Sequence, residues 1–160
     1  MNMRTSTVFI ETSVFNFVFA DDALEKHRHT LALFEEICQG RYIPYTSEYV
    51  LRELRRAPSP KREDMIALVA KYNVTVLPPS EEAERLADLY VAEGIIPARY
   101  VTDGLHIAMA SVHDLAFIVS FNFQHIVKRS TVLATEIVNL REGYRRIGIY
   151  SPTEVIENVE

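Results

Sequence analysis

The chain of 160 residues contains no tryptophan, a single cysteine and only 5 glycines. One cysteine cannot close a disulfide within the chain, so the fold must rest on a packed core, and a reducing cytoplasm is the expected compartment. None of the glycines is spaced as G-x-G-x-x-G or as a Walker loop, which excludes the common glycine-rich phosphate cradles. There is no G-x-S-x-G elbow to present a hydrolase nucleophile. The 5 histidines form no H-E-x-x-H pattern and have no companion cysteines, so no zinc site is indicated. No apolar run is long enough to cross a bilayer, so no membrane partner is expected. The stretch from Met1 to Ser6 is polar and lacks the apolar centre of a secretion signal. Positive charge is scarce as well. Lys and Arg number 17 against 22 Asp and Glu, and the net charge of −5 argues against a general nucleic-acid coat. It leaves room for an enzyme that grips a few phosphates locally and through metal ions.

What is present is a 48% hydrophobic chain, enough for one domain spanning 1–160 with a substantial core. Thr7 to Ile10 reads as a buried strand. Asp22 to Gln39 reads as an amphipathic helix with Leu24, Leu31, Phe34 and Cys38 at helical spacing, Cys38 acting as a small hydrophobe and Gly40 as the stop. Tyr42 to Tyr45 is a second strand, which Pro44 assigns to an edge or a strand end. Ser47 caps the next helix. In Pro58-Ser59-Pro60, Ser59 is the expected N-cap and Pro60 the first helical residue of another. Val74 to Leu77 is a third strand, Ser80 caps a helix ended by Gly94, and Ile95 to Tyr100 is a loop. A helix from Thr102 or Asp103 to about His113 leads to a fourth strand, Phe117 to Val119. A helix from about Ser130 to Glu142, a fifth strand from Ile147 to Tyr150 and a capping box at Ser151-Pro152-Thr153-Glu154 close the chain. Strands alternating with helices predict an α/β fold with a mostly parallel sheet.

Two apolar runs stop on polar side chains: Val8-Phe9-Ile10 at Glu11-Thr12-Ser13, and Phe117-Ile118-Val119 at Ser120-Phe121-Asn122. A third apolar segment opens with an acid, Asp103. In a parallel sheet, ligands bind beyond the carboxyl ends of the strands. Glu11, Asp103 and Asn122 would then face one crevice, and carboxylates gathered there call for a cation. Hard oxygen ligands favour Mg²⁺ or Mn²⁺. Taken singly, each residue has a structural explanation. Asp103 could cap its helix, Asn122 could form a turn, and Glu53 could be a solvated acid paired with Arg52 or Arg56. His106 falls one turn after Asp103 on the same helix face and reads mainly as a hydrogen-bonded structural histidine.

The ordered set Phe9-Ile10-Glu11-Thr12-Ser13-Val14, Leu51-Arg52-Glu53-Leu54, Thr102-Asp103-Gly104-Leu105-His106-Ile107-Ala108 and Val119-Ser120-Phe121-Asn122-Phe123 resembles the PIN-domain nuclease family, most of all the VapC-type toxins of toxin–antitoxin pairs. The resemblance implies a three-layer α/β/α sandwich with a mostly parallel sheet of four or five strands. It also implies an acidic pocket for one or two Mg²⁺ or Mn²⁺ ions, endonucleolytic cleavage of RNA, a cognate antitoxin and a homodimer. Glu11 falls where the family usually has its first Asp, Glu53 and Asp103 match the middle acids, and Asn122 stands where a fourth acid is often found. Thr12, Ser13 and Ser120 match nearby hydroxyl positions. Lys128, Arg129, Arg141, Arg145 and Arg146 are candidate phosphate contacts. The apolar segment Val14 to Phe19 either offers surface for a dimer or is buried by the helix that follows. Asn122 lacks the charge of an acid, so the alternative is a catalytically degenerate binding module on the same fold.

Overall fold

All four residues of Thr7–Ile10 are buried, as expected for a strand covered on both faces. This strand, β1, is the centre of a five-stranded sheet with β2 (Ile43–Ser47), β3 (Thr75–Leu77), β4 (Phe117–Val119) and β5 (Gly148–Tyr150). The order is β3-β2-β1-β4-β5, and every neighbouring pair is parallel. The computed structural model describes residues 6–157, so the sequence reading of residues 1–5 lies outside the described residues.

The helices are α1 (Thr12–Phe17), α2 (Leu24–Cys38), α3 (Glu48–Leu54), α4 (Lys61–Lys71), α5 (Glu81–Ala92), α6 (Val101–Val112), α7 (Arg129–Arg141) and α8 (Pro152–Val155). Right-handed crossovers place the connections β1→β2→β3 on one face and β3→β4→β5 on the other. In agreement, α1 packs on α2, α3 and α4, while α5 packs on α6 and α7. The result is a three-layer α/β/α sandwich. β1 and β4 are neighbours in the sheet but lie on opposite sides of the crossover through β2 and β3. The crevice outside their carboxyl ends is therefore the topological switch point, where such sheets bind ligands.

Several sequence expectations change in the structure. On α2 the buried residues are His29, Thr30, Leu33, Phe34 and Ile37, whereas Leu24 is 71% exposed, Leu31 is 43% exposed and Cys38 is exposed. Two polar side chains turn inward on specific partners: Thr30 Oγ1 donates to the Lys26 carbonyl at 2.7 Å, and one nitrogen of His29, Nδ1, meets Thr153 Oγ1 at 2.7 Å. An apolar count along the helix misses that face. Pro44 lies in an interior strand, but at its start. It pairs with Val8 of β1, and pairing with β3 begins only at Tyr45, so its missing N–H breaks no ladder on that side.

α1 is absent from the sequence reading. It buries Val14 and Phe15 completely and packs Phe17 and Val18 on the core, leaving Phe19 partly exposed. The apolar surface assigned to a dimer is thus largely consumed inside the chain. Pro60, not Ser59, is the N-cap of α4, because the Ser59 hydroxyl is taken by the side chains of Glu63 and Arg62. A short 3₁₀ turn, Ala98–Tyr100, leads into α6, whose N-cap is Tyr100 without a side-chain bond. Asp103 is therefore in the first turn and does not cap the helix.

Candidate metal centre

Glu11 follows β1 directly and caps α1. Its backbone N–H donates to the Val119 carbonyl at 3.2 Å, which locks the end of β1 to the end of β4. Its Oε1 accepts three hydrogen bonds, from Ser13 N–H at 3.2 Å, Ser13 Oγ at 2.5 Å and Ser120 Oγ at 2.6 Å. Ser120 is fully buried and Glu11 is 5% exposed, so the carboxylate is held by fixed hydroxyls rather than by water. Among the described hydrogen bonds none falls on Oε2.

Glu53 comes from the last turn of α3, which Ser47 starts by accepting from Val50 N–H. The side chain turns inward, unlike a solvated acid paired with arginine. Oε1 accepts from Thr12 Oγ1 at 2.5 Å and meets His106 Nε2 at 2.6 Å. His106, on α6, is fully buried. Since a carboxylate only accepts, the Nε2 nitrogen carries the proton, and Nδ1 is left buried without a partner. Burial alone would disfavour a charged ring, but the hydrogen bond and charge of Glu53, with the charges of Glu11 and Asp103, raise the His106 pKa. Burial likewise opposes ionisation of Glu53, yet His106, Thr12 and the charge of Arg56 hold its pKa below the ordinary value. The two side chains form a partly buried hydrogen-bonded pair.

Ligand atoms of Glu11, Glu53 and His106 all lie within 4.8 Å of one another. Asp103 stands beside this group, one turn before His106. It is close enough to contribute to the His106 shift, and its Oδ2 meets His125 Nδ1 at 3.1 Å. The sequence reading missed His125. Its ring stacks on Tyr100 at 4.1 Å, and nothing in the local pattern marks it except its place three residues after Asn122. Asn122 holds its own loop together. Its Oδ1 accepts from His125 N–H at 3.0 Å and its carbonyl accepts from Ile126 and Val127 N–H, so it shapes the turn after β4.

The basic candidates separate by topology. Lys128 and Arg129 are exposed at the start of α7, on the carboxyl edge of the sheet with the acids. α7 then runs back to the amino edge. Arg141 there pairs with Glu93 and Glu142, Arg145 with Asp114 and Arg146 with Glu136. These three arginines lie at the opposite edge of the sheet from the acids, each engaged by a neighbouring carboxylate.

The donor set suits a hard divalent cation. Glu11 and Glu53 each commit Oε1 to neighbours, leaving a second carboxylate oxygen, and Asp103 adds a third acid at the rim. Three carboxylates gather around one histidine, which leaves net negative charge for an ion to balance.

The PIN domain profile matches residues 8–129. Among solved structures, the crystal structure of Mycobacterium tuberculosis VapC20, a sarcin–ricin loop cleaving toxin, superposes with a TM-score of 0.57 at 14% sequence identity. The superposition covers 88% of this chain and 98% of that one. Such a likeness shows the fold. No curated protein matches by sequence.

Proposed function

The chain belongs to the PIN-domain family, and we propose that it is a divalent-metal-dependent endoribonuclease acting as the toxin of a toxin–antitoxin pair. The observation that supports this reading is the convergence of Glu11, Glu53 and His106 within 4.8 Å at the switch point of the sheet, with Asp103 beside them. Glu11, Glu53 and Asp103 would hold Mg²⁺ or Mn²⁺. When bound, such an ion polarises a phosphodiester and makes its water more acidic. Thr12, Ser13 and Ser120 fix the carboxylates in place, and His106 positions Glu53. Asn122 adds no charge and its oxygen closes the loop, so the centre is built on three acids and suits one ion better than two. The proposed partners are single-stranded RNA, an antitoxin protein and a second copy of the chain.

Asn122 is also the observation that favours the second reading, a degenerate binding module. The intact, well-held acids weigh against it. The deciding experiment is cleavage of RNA by purified protein with Mg²⁺ or Mn²⁺, with a chelator and with Asp103→Asn. Metal-dependent cutting that the variant loses supports the nuclease. Activity that survives chelation, or RNA binding without cutting under any metal, overturns it.

A further inference from the structure

Three phenylalanines surround one ammonium group beside the acidic crevice. Lys26 Nζ lies 5.1 Å from the ring centroid of Phe17, 5.8 Å from Phe121 and 5.6 Å from Phe123. Phe17 and Phe121 meet edge to face at 4.8 Å, and Phe123 adjoins Phe121 at 6.4 Å. Cation–π attraction keeps the lysine over this aromatic set. Lys26, Phe121 and Phe123 also border a cavity of about 430 Å³, whose lining includes Leu24, Glu25, His29 and Thr153. That volume falls in the range of small-ligand sites. Its rim exposes apolar surface, Leu24 at 71% and Phe123 at 49%. Its wall includes His29, 3% exposed, whose Nε2 has no hydrogen-bond partner. Buried polar groups are seldom left so.

The cavity is tied to the carboxylates. Phe121 N–H donates at 2.8 Å to Ser13 Oγ, and Asn122 N–H donates at 2.9 Å to Ser120 Oγ. Both hydroxyls donate to Glu11 Oε1. The loop carrying Phe121 and Phe123 therefore begins two hydrogen bonds from a proposed metal ligand. Exposed aromatic faces beside a cation are the means by which proteins hold unpaired bases and their phosphates.

Resting on the nuclease reading, we propose that this cavity is a nucleobase subsite. An unpaired base of single-stranded RNA next to the scissile phosphate stacks on Phe123, with Lys26 on a flanking phosphate. The subsite gives a protein of net negative charge a local grip on RNA, and it selects single strands, because a base held in a duplex cannot enter.

The absence of tryptophan makes the test direct. Phe123→Trp places the only indole of the chain at the rim. Its emission is followed while single-stranded RNA, the same RNA with abasic sites, or duplex RNA is titrated in Ca²⁺, with the RNA checked by gel. Saturable quenching by the single strand, and weak quenching by the abasic and duplex forms, is expected. By anisotropy, Phe123→Ala should bind single-stranded RNA roughly five- to a hundredfold more weakly than the parent, the range that loss of one stacked base represents. Lys26→Ala should lower the slope of log Kd against log salt by about 0.7, one phosphate contact on a single strand. Equal quenching by abasic RNA, unchanged affinity in Phe123→Ala, or quenching by an antitoxin peptide but not by RNA overturns the subsite. Cleavage by the parent in Mn²⁺ is measured separately. Cutting without dependence on Phe123 removes the subsite and keeps the nuclease, whereas base stacking without cutting does the reverse.

Discussion

Glu53 and His106 are 53 positions apart in the chain and 2.6 Å apart in the fold, and each shifts the other's ionisation. The contact joins α3 to α6 at the carboxyl edge of the sheet. Its stability contribution depends on pH with a definite sign. The His106 pKa is raised above 6.5, so its share is complete below that value and is lost as pH rises through the folded pKa. The Glu53 pKa is lowered below 4.5, so its share is complete above that value and is lost as pH falls through the folded pKa. Urea unfolding in a chelator should therefore show the difference in stability between the parent and His106→Gln at a plateau from pH 4.5 to 6.5, declining on both sides. A difference that grows above pH 6.5 would mean that His106 is held neutral.

Asp103→Asn should lower RNA cleavage by at least about a hundredfold while leaving the circular dichroism spectrum unchanged, since it removes a proposed ligand charge and Asp103 is not the N-cap of α6. The same substitution should blunt the response to metal. A bound ion selects the folded state by mass action, so Mn²⁺ should raise the melting temperature of the parent and barely move the variant. Equal shifts in the two proteins would place the ion at another site.

Much of this was legible in the sequence, and the losses have physical causes. Glu11, Ser120 and the strands before them could be read because a buried parallel strand is a continuous apolar run whose polar terminus is abrupt. The hydroxyls of Thr12, Ser13 and Ser120 were flagged only through a family likeness, yet all three bond to the carboxylates. The core face of α2 was misread because His29 and Thr30 are buried with partners that no local pattern displays. α1 was missed because six residues carry too little periodicity to stand out. His125 was missed because its role depends on a contact 22 positions away. The far arginines were included because charge is visible in a sequence, whereas the direction in which α7 runs is not.

Tyr90→Phe is a control remote from the acids. Tyr90 is fully buried and donates to Asn139 Oδ1, while Asn139 Nδ2 donates to Ser111 Oγ at 2.9 Å, a chain that joins α5, α7 and α6. Deleting the hydroxyl strands a buried acceptor and should cost about 1–3 kcal/mol in urea unfolding. Mn²⁺ affinity, measured by calorimetry where the variant is folded, should stay at the parent value. A large fall in affinity would mean that the centre depends on global packing rather than on its own hydroxyl supports.

The last prediction concerns how Glu11 is held. Ser13 Oγ and Ser120 Oγ both donate to one oxygen, Glu11 Oε1, from elements on either side of the switch point. A hydrogen bond to a charged group contributes about 1.5–3 kcal/mol, so Ser120→Ala should destabilise the protein by that order, the more so because Asn122 N–H also loses its acceptor. Two donors on one atom compensate for each other. When one is removed the other can shorten and improve, and only the double variant leaves Oε1 with the single Ser13 N–H at 3.2 Å. Ser13→Ala with Ser120→Ala should therefore cost more than the sum of the single changes by about 0.5 kcal/mol or more, the coupling expected of groups that share a partner. The same cycle run on Mn²⁺ affinity should show coupling in the same direction, because the Glu11 oxygen proposed to bind the ion is oriented by the one that the serines hold. Additive costs in both measurements would mean that the two hydroxyls act on the local turns they cap and not on the position of the carboxylate.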